Sequence, residues 1–219
     1  TWPLNLNQMA SGNPGAVHCL RYIGYYRLKI YMRPFEGDDK KFQAGTEFPD
    51  LVKLYEFDRD LRLLCLDAIE RIEVALRANL VNVLAEEGGP HFFNDESYFE
   101  RHDSLSTIQR ISENGKHLSI EHYKKTYKRP FLPPIWCLTE ASTFGQISKI
   151  FAGLKLEHRK NISQYFELDE KICTSWFRCL TALRNICAHH GRLWNAQLVV
   201  DCPKKAKKYK YHLYDNESF

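Results

Sequence analysis

The amino-acid sequence predicts an all-α protein built as a helical bundle. Apolar residues recur at intervals of three and four along most of the 219-residue chain, whereas the apolar-polar alternation that marks strands is scarce. A hydrophobic content of 44% is enough for a substantial core. No internal repeat and no glycine-serine linker interrupts this pattern. We therefore expect a single helical domain over residues 1–195, followed by a basic C-terminal tail over residues 196–219.

Two long helices are predicted in the N-terminal part of the chain. The first covers residues 14–33 and is stopped by Pro34, because proline cannot continue a helix. The second follows a charged loop, takes Asp50 as its N-cap and runs to Gly88. The apolar positions of the first helix are Val17, Leu20, Tyr22, Ile23, Tyr26, Leu28 and Ile30. Those of the second helix are Leu54, Phe57, Leu61, Leu64, Ala68, Ile69, Ile72, Leu76, Leu80 and Val83.

The helical pattern weakens between residues 91 and 130. Charged and hydroxyl residues there surround two shorter helical stretches, over residues 97–114 and 117–127. We interpret this segment as a peripheral helical insertion, because its apolar face is less continuous than those of the long helices.

Prolines and N-cap residues divide the C-terminal part of the chain. The pair Pro133-Pro134 breaks the chain before a new apolar segment. The last strong helix takes Asp169 as its N-cap and ends near Gly191. Its predicted buried face consists of Ile172, Trp176, Leu180, Leu183 and either Ile186 or Cys187. The shorter helical segments before it are expected at residues 135–145, 146–154 and 156–165.

Positive charge is unevenly distributed, although the net charge is only +4. Two lysine-rich clusters would suit a polyanion such as RNA. The alternative interpretation is an ordinary solvated surface, which is common for isolated lysine runs. The candidate RNA-binding residues are Lys124, Lys125, Lys128 and Arg129 in the first cluster and Lys204, Lys205, Lys207 and Lys208 in the second.

The cysteines and the hydropathy indicate a cytoplasmic protein. The seven cysteines are odd in number and scattered, and none forms a C-x-x-C pair. This pattern favours reduced, buried thiols over disulfides and argues against a zinc site. No apolar stretch is long enough to predict a membrane span, and the first residues lack the pattern of a secretory signal. We expect no metal, no cofactor and no membrane contact.

The most informative motif closes the last helix, where Arg184, Asn185, His189 and His190 lie within two turns. Arginine presents a charged fork that matches phosphate oxygens, and histidine donates and accepts protons near neutral pH. A run of this kind can also be a simple helix cap. On an ideal helix Asn185 and His189 share a face, whereas Arg184 and His189 are about 140° apart. The arginine stem could bridge this gap, the helix could unwind near Ala188, or two subunits of a dimer could each supply one residue.

Such residues suffice for RNA cleavage without a metal. One histidine can remove the proton of the ribose 2′-hydroxyl while another protonates the leaving 5′-oxygen, and an arginine can stabilise the charged phosphorane. Asn185 is placed to orient the His189 imidazole or a phosphate oxygen, and His190, on a different face, is expected to have a supporting role at best.

The run over residues 183–195 resembles the signature of the Abi-like proteins of the AbiD/AbiF abortive-infection type. In these proteins the R-x4-6-H motif of the HEPN superfamily reads R-N-x-x-x-H, as it does from Arg184 to His189. Further blocks that resemble the family, in the same order, are residues 25–28, 34–35, 54–62, 69–77, 133–136, Glu140 and 142–145.

The resemblance implies a HEPN-like bundle, a homodimer that pairs two motifs, and a metal-independent endoribonuclease of phage defence or a toxin-antitoxin system. It assigns the catalytic roles to Arg184 and His189, with Asn185 as the polar residue that follows the arginine. The family-like residues Glu73, Arg77 and Glu140 are supporting candidates, although Glu73 and Arg77 also suit an ordinary ion pair four residues apart on a helix. Two other functions stay open: a non-cleaving module that holds a structured RNA, and a protein-interaction or toxin-neutralising partner.

Overall fold

A computed structural model describes residues 14–114, 116–198 and 203–205, and within these residues the fold is all-α, as predicted. They contain nine α-helices, three short 3-10 helices and no β-strand. None of the described helices is long and apolar enough to span a membrane. The α-helices are α1 (Pro14–Tyr22), α2 (Tyr25–Met32), α3 (Phe48–Gly88), α4 (His102–Asn114), α5 (Leu118–Thr126), α6 (Ile135–Glu140), α7 (Phe144–Gly153), α8 (Leu156–Gln164) and α9 (Glu170–Ala188). The 3-10 helices are Arg33–Phe35, Phe92–Asn94 and Glu96–Tyr98.

The described residues divide into two compact units. The first contains residues 14–66 and 186–197, and the second contains residues 67–185 with 198 and 203–205. The predicted domain bounds and the predicted tail remain predictions, and most of the tail lies outside the described residues.

The predicted helix over residues 14–33 is wrong, because the chain forms two helices separated at Gly24. Gly24 has a φ of 89°, a left-handed conformation that ends α1 and that only glycine adopts without strain. The break between the helices also changes which residues are buried. Tyr22 and Tyr26 were predicted on the apolar face but are 78% and 83% exposed. The small core here consists of Ala16, Leu28, Met32, Phe48 and Leu51.

Helix α3 begins slightly earlier than the sequence predicts. Asp50 is not its N-cap but lies in the first turn, where its Oδ2 accepts a hydrogen bond from the backbone N–H of Glu47 at 3.1 Å. This hydrogen bond between the Asp50 side chain and Glu47 satisfies a backbone N–H next to the helix start. The side chain at the third helical position makes the same bond in a capping box.

The buried face of α3 in the first unit also differs from the prediction. Phe57 and Leu64 were expected in the core but are 53% and 70% exposed. Asp58 and Arg62 are buried instead, at 0% and 5% exposure. A charged pair can be buried when each member satisfies the other, so the polar residues of this helix decide its inward face.

The second unit includes the segment over residues 91–130. Its first stretch is irregular up to residue 101, because two 3-10 turns precede α4 and the predicted helix starts only at His102. Helix α4 packs against α7. Buried side chains of this segment include Phe92, Phe93, Phe99, Ile108, Ile111, Ile120 and Tyr123.

Helix α9 starts where the sequence predicts. Oδ1 of Asp169 accepts a hydrogen bond from the backbone N–H of Lys171 at 2.9 Å, which confirms Asp169 as the N-cap residue. The predicted inward face is shifted, because Ile172 and Trp176 are only half-buried. The buried residues of α9 are Glu170, Cys173, Phe177, Cys179 and Cys187.

Candidate functional site

The candidate site lies at the C-terminal end of α9, where the chain turns sharply. The backbone N–H of His190 donates to the carbonyl of Cys187 at 3.0 Å, and that of Gly191 donates to Ile186 at 2.8 Å. His190 has a φ of 57°. These features define a Schellman motif, with His190 at the position that glycine usually occupies and His189 as the preceding cap residue. The two histidines are therefore set on a tight turn.

The residues of the predicted motif differ in exposure and in hydrogen bonding. Arg184 is half-buried, and its Nη1 lies 3.5 Å from Oδ1 of its exposed neighbour Asn185. His189 is exposed, and its imidazole makes no hydrogen bond or ion pair with the residues that the structure describes. Helix α9 ends at Ala188, so His189 lies beyond its last helical residue. Bridging by the arginine stem, loss of helical geometry near Ala188 and pairing across a dimer all remain as alternatives.

A buried carboxylate holds the chain just beyond this turn. Asp58 of α3 has no exposed surface. Its Oδ1 accepts the backbone N–H groups of Leu193 at 3.0 Å and of Trp194 at 2.5 Å. Its Oδ2 accepts the hydroxyl of Tyr31 at 2.5 Å and an N–H of Arg62. Four donors therefore converge on one side chain, which satisfies the polar groups that this turn would otherwise bury unpaired.

Two arginines bind the carbonyls of the turn itself. Nη1 of Arg62 donates to the carbonyl of Gly191 at 3.3 Å, and Nη1 of Arg27 donates to that of His190 at 3.1 Å. Both carbonyls lie just beyond the C-terminus of α9, where cationic donors are favourable. The turn is therefore held at consecutive residues by side chains of α2 and α3.

Sequence reasoning gave no role to these supporting residues. Arg27, Asp58 and Arg62 all fall within blocks that resemble the family. The feature of the sequence that could have indicated them is the spacing of Asp58 and Arg62, which are four residues apart and next to the predicted apolar face of a long helix. That spacing also occurs on solvated faces, so it does not by itself predict burial.

A cleft of about 460 Å³ lies within the first unit beside the turn. It is cationic, because its described lining includes three arginines and one histidine and no carboxylate. The described lining residues are Tyr22, Ile23, Arg27, Tyr55, Arg59, Arg62, Leu63, Leu66, Cys187, Ala188 and His190. The cleft thus includes His190, which sequence reasoning ranked below His189.

Burial changes the acid-base properties of two groups near the turn. Burial and the hydrogen bond to Asp58 raise the pKa of Tyr31 to about 12. Burial raises the pKa of the Cys187 thiol to about 11. Cys187 lies inside the motif but is 1% exposed, so it lacks the thiolate and the access that a nucleophile requires. The chemistry of the motif therefore falls to the imidazoles and the guanidinium.

The model of the family described as "Abi-like protein" matches residues 18–195. The chain belongs to this family. The match includes α2 to α9, the turn and every residue that holds it. Family membership associates this Abi-like protein with abortive infection. Comparisons with curated proteins and with solved structures found no match.

Two of the supporting candidates of the Abi-like protein, Glu73 and Arg77 of the second unit, form a structural contact. Arg77 Nη2 lies 2.5 Å from Oε1 of Glu73 and 2.7 Å from the carbonyl of Ser142. Both side chains of the pair are largely buried, at 21% and 13% exposure for Arg77 and Glu73. Glu140, at the end of α6, is exposed. The Glu73–Arg77 pair thus joins α3 to Ser142 in the short segment between α6 and α7.

The basic clusters of the Abi-like protein are exposed where they are described. Nζ of Lys124 donates to the carbonyl of Ser112 at 2.5 Å, and Nζ of Lys125 lies 4.0 Å from a Glu121 oxygen. The other exposed members are Lys128, Arg129, Lys204 and Lys205. Lys207 and Lys208 lie outside the described residues. No cluster of three or more His, Cys, Asp or Glu side chains among the described residues could hold a metal ion.

Proposed function

We propose that this Abi-like protein is a metal-independent endoribonuclease of a bacterial anti-phage or toxin-antitoxin system. The observation that supports the proposal is the exposed pair His189-His190, set on a turn that partly buried hydrogen bonds hold in place. Rigid support of this kind favours catalysis, because the reacting groups need no reorganisation during the reaction.

The proposed reaction uses the 2′-hydroxyl of the RNA as the nucleophile. A histidine accepts the 2′-hydroxyl proton while the 2′-oxygen bonds to phosphorus, and the bond from phosphorus to the 5′-oxygen breaks. A second imidazole protonates the leaving 5′-oxygen. The products are a 2′,3′-cyclic phosphate and a free 5′-hydroxyl. Arg184 stabilises the negative charge on the phosphorane, and Asn185 orients Arg184, whose guanidinium lies beside its amide oxygen.

We further propose that two copies of the chain form the complete site. On an ideal helix Arg184 and His189 would be about 140° apart, so in this proposal an arginine of one copy acts beside the histidine of the other. Mixing Arg184→Ala with His189→Ala chains tests this arrangement. Random pairing makes half of the dimers mixed, each with one intact site of two, so about one quarter of wild-type activity should return. No recovery would show that each chain acts with its own residues.

The cleavage assay compares variants on total RNA in the presence of EDTA. Arg184→Ala and His189→Ala should lose cleavage by at least about 100-fold, as expected when a general acid-base or charge-stabilising group is removed. Matched controls are Arg71→Ala and His122→Ala, which replace exposed residues of the same types on α3 and α5. Analysis of the RNA ends should find the 2′,3′-cyclic phosphate. Cleavage that requires added metal, or that is unchanged in both variants, would refute the proposed mechanism.

The cationic cleft also supports a second function, namely an RNA-binding module that does not cleave. The same assay separates the two, because such a module would retain labelled RNA in EDTA and leave it intact. Arg27 and Arg59 would then contribute to affinity and not to turnover.

A further inference from the structure

We infer that the cleft of the first unit binds one nucleotide of single-stranded RNA, and this inference rests on the proposed function. The cleft is open, its volume is about 460 Å³, and it brings together cations, aromatic rings and apolar side chains. Ligand pockets of about 300 to 1,000 Å³ accept small organic molecules, so a single nucleotide is a suitable size.

The charge of the cleft favours a phosphate group. Arg62 is neutralised by the buried Asp58, which leaves Arg27 and Arg59 as the cations available to a ligand. Arg27 uses one N–H for the carbonyl of His190 at 3.1 Å, and a guanidinium carries five donors. Arg59 pairs with Asp60 at 3.1 Å, but both side chains are more than half exposed, so a phosphate can displace this contact at little cost.

The aromatic residues of the cleft favour an unpaired base. Tyr22 is 78% exposed, and a tyrosine ring in that position offers a face on which a base can stack. Tyr55 is half-buried and packs edge-on against Tyr31, with ring centroids 5.5 Å apart, which fixes the orientation of its ring. Bases inside a duplex are stacked on each other, so only a single strand can supply a base to these rings.

The position of the cleft relates it to the proposed chemistry. His190 lines the cleft and follows His189 in the chain. A nucleotide held by Tyr22 and Arg59 therefore belongs to the strand that is presented to the histidine turn. This arrangement assigns to the cleft the binding of a nucleotide next to the cleaved bond.

The experiment measures binding of a short, fluorescent, single-stranded RNA in which every 2′-hydroxyl is methylated. Methylation removes the nucleophile, so affinity is measured without cleavage. Tyr22→Ala should weaken binding by roughly 5- to 150-fold, the range expected for the loss of one stacked base. Arg59→Ala should weaken binding and reduce the slope of log K against log salt by about 0.7, the value for one phosphate contact on a single strand.

Matched controls separate the cleft from general surface effects. Tyr26→Ala removes a tyrosine that is 83% exposed and does not line the cleft. Arg71→Ala removes an exposed arginine of α3 that pairs with Asp67, as Arg59 pairs with Asp60. Both controls should change the affinity by less than about twofold, because neither side chain lines the cleft and exposed ion pairs contribute little. Equal losses in cleft variants and controls, or no loss in the cleft variants, would overturn the inference.

Two further measurements separate this inference from related outcomes. Competition by adenosine 5′-monophosphate tests a free nucleotide as the ligand, and tight binding of the mononucleotide with none of the RNA would overturn the RNA assignment. Cleavage of unmodified RNA is measured on the same variants. RNA that binds through Tyr22 and Arg59 but is not cut would leave the cleft in place and refute the proposed nuclease. RNA that is cut by the wild type while the cleft variants bind RNA normally would refute the role of the cleft and leave the proposed nuclease in place.

Discussion

The replacement Asp58→Ala should destabilise the protein strongly, because it removes the acceptor on which four donors converge. The Arg62 side chain, 6% exposed, would keep its charge in a buried place without its partner. Breaking one side of a buried ion pair costs about 3 to 5 kcal/mol. The backbone N–H groups of Leu193 and Trp194 also lose their acceptor. Each such loss costs about 1 to 3 kcal/mol when the donor stays buried, but local opening of the turn to water limits the sum.

We therefore expect a loss of about 4 kcal/mol in the free energy of unfolding. For a chain of 219 residues this corresponds to a fall in Tm of roughly 8 to 16 °C. Urea denaturation followed by circular dichroism measures the change as a shift of the midpoint at constant slope.

The chain offers a close control on the same helix. Asp67 and Arg71 have the same spacing of four residues, but their side chains are 64% and 78% exposed. Asp67→Ala should therefore cost less than about 0.5 kcal/mol. The double variant Asp58→Ala with Arg62→Met should recover part of the loss, because no unpaired charge stays buried. A cost for Asp58→Ala as small as that for Asp67→Ala would refute the role given to the buried pair.

Three further predictions concern the residues around the turn. Cys187→Ala should retain RNA cleavage within about twofold, because a buried thiol whose pKa is raised to about 11 is not a nucleophile. In the wild type at pH 8, thiol-reactive reagents should label Cys187 only after denaturation, which peptide mass mapping would show. His190→Gly should raise the free energy of unfolding by up to about 1 kcal/mol in urea titrations. Glycine avoids the strain that a residue with a side chain has at a φ of 57°. A decrease of the same size in the free energy of unfolding would contradict the Schellman assignment. The pKa of Tyr31 is raised in the folded protein to about 12, so its stabilising contribution is complete below pH 10 and lost as the pH rises to 12. The difference in unfolding free energy between wild type and Tyr31→Phe should shrink over that interval, and a constant difference would exclude this linkage.

The fold class and the ends of several helices could be predicted from local sequence. Asp169 caps α9 as expected because an N-cap bond needs only the next few residues. Gly24 could not be recognised as a break between helices, because a single glycine inside an apolar pattern is often tolerated. The inward face of α3 also escaped prediction, since Phe57 is exposed and Asp58 is buried.

Some residues of the candidate site could be predicted from the sequence, and others could not. The motif from Arg184 to His190 was visible in the sequence because its members lie within one short run of consecutive residues. The residues that hold it were not, since Arg27 and Asp58 lie more than 100 residues away in the chain. Sequence spacing carries no information about such contacts unless both partners have a recognised pattern.

The sequence by itself determined the helical class, the position of the motif and the family to which the chain belongs. These properties depend on periodicity and on short-range order, which are written along the chain. Only the tertiary structure decided that Asp58 and Arg62 face inward, that the histidine turn is held by α2 and α3, and that Tyr22 and Arg59 line a cleft with His190. The physical reason is that a buried charge is stable only where distant donors and acceptors meet it, and folding alone brings those groups together.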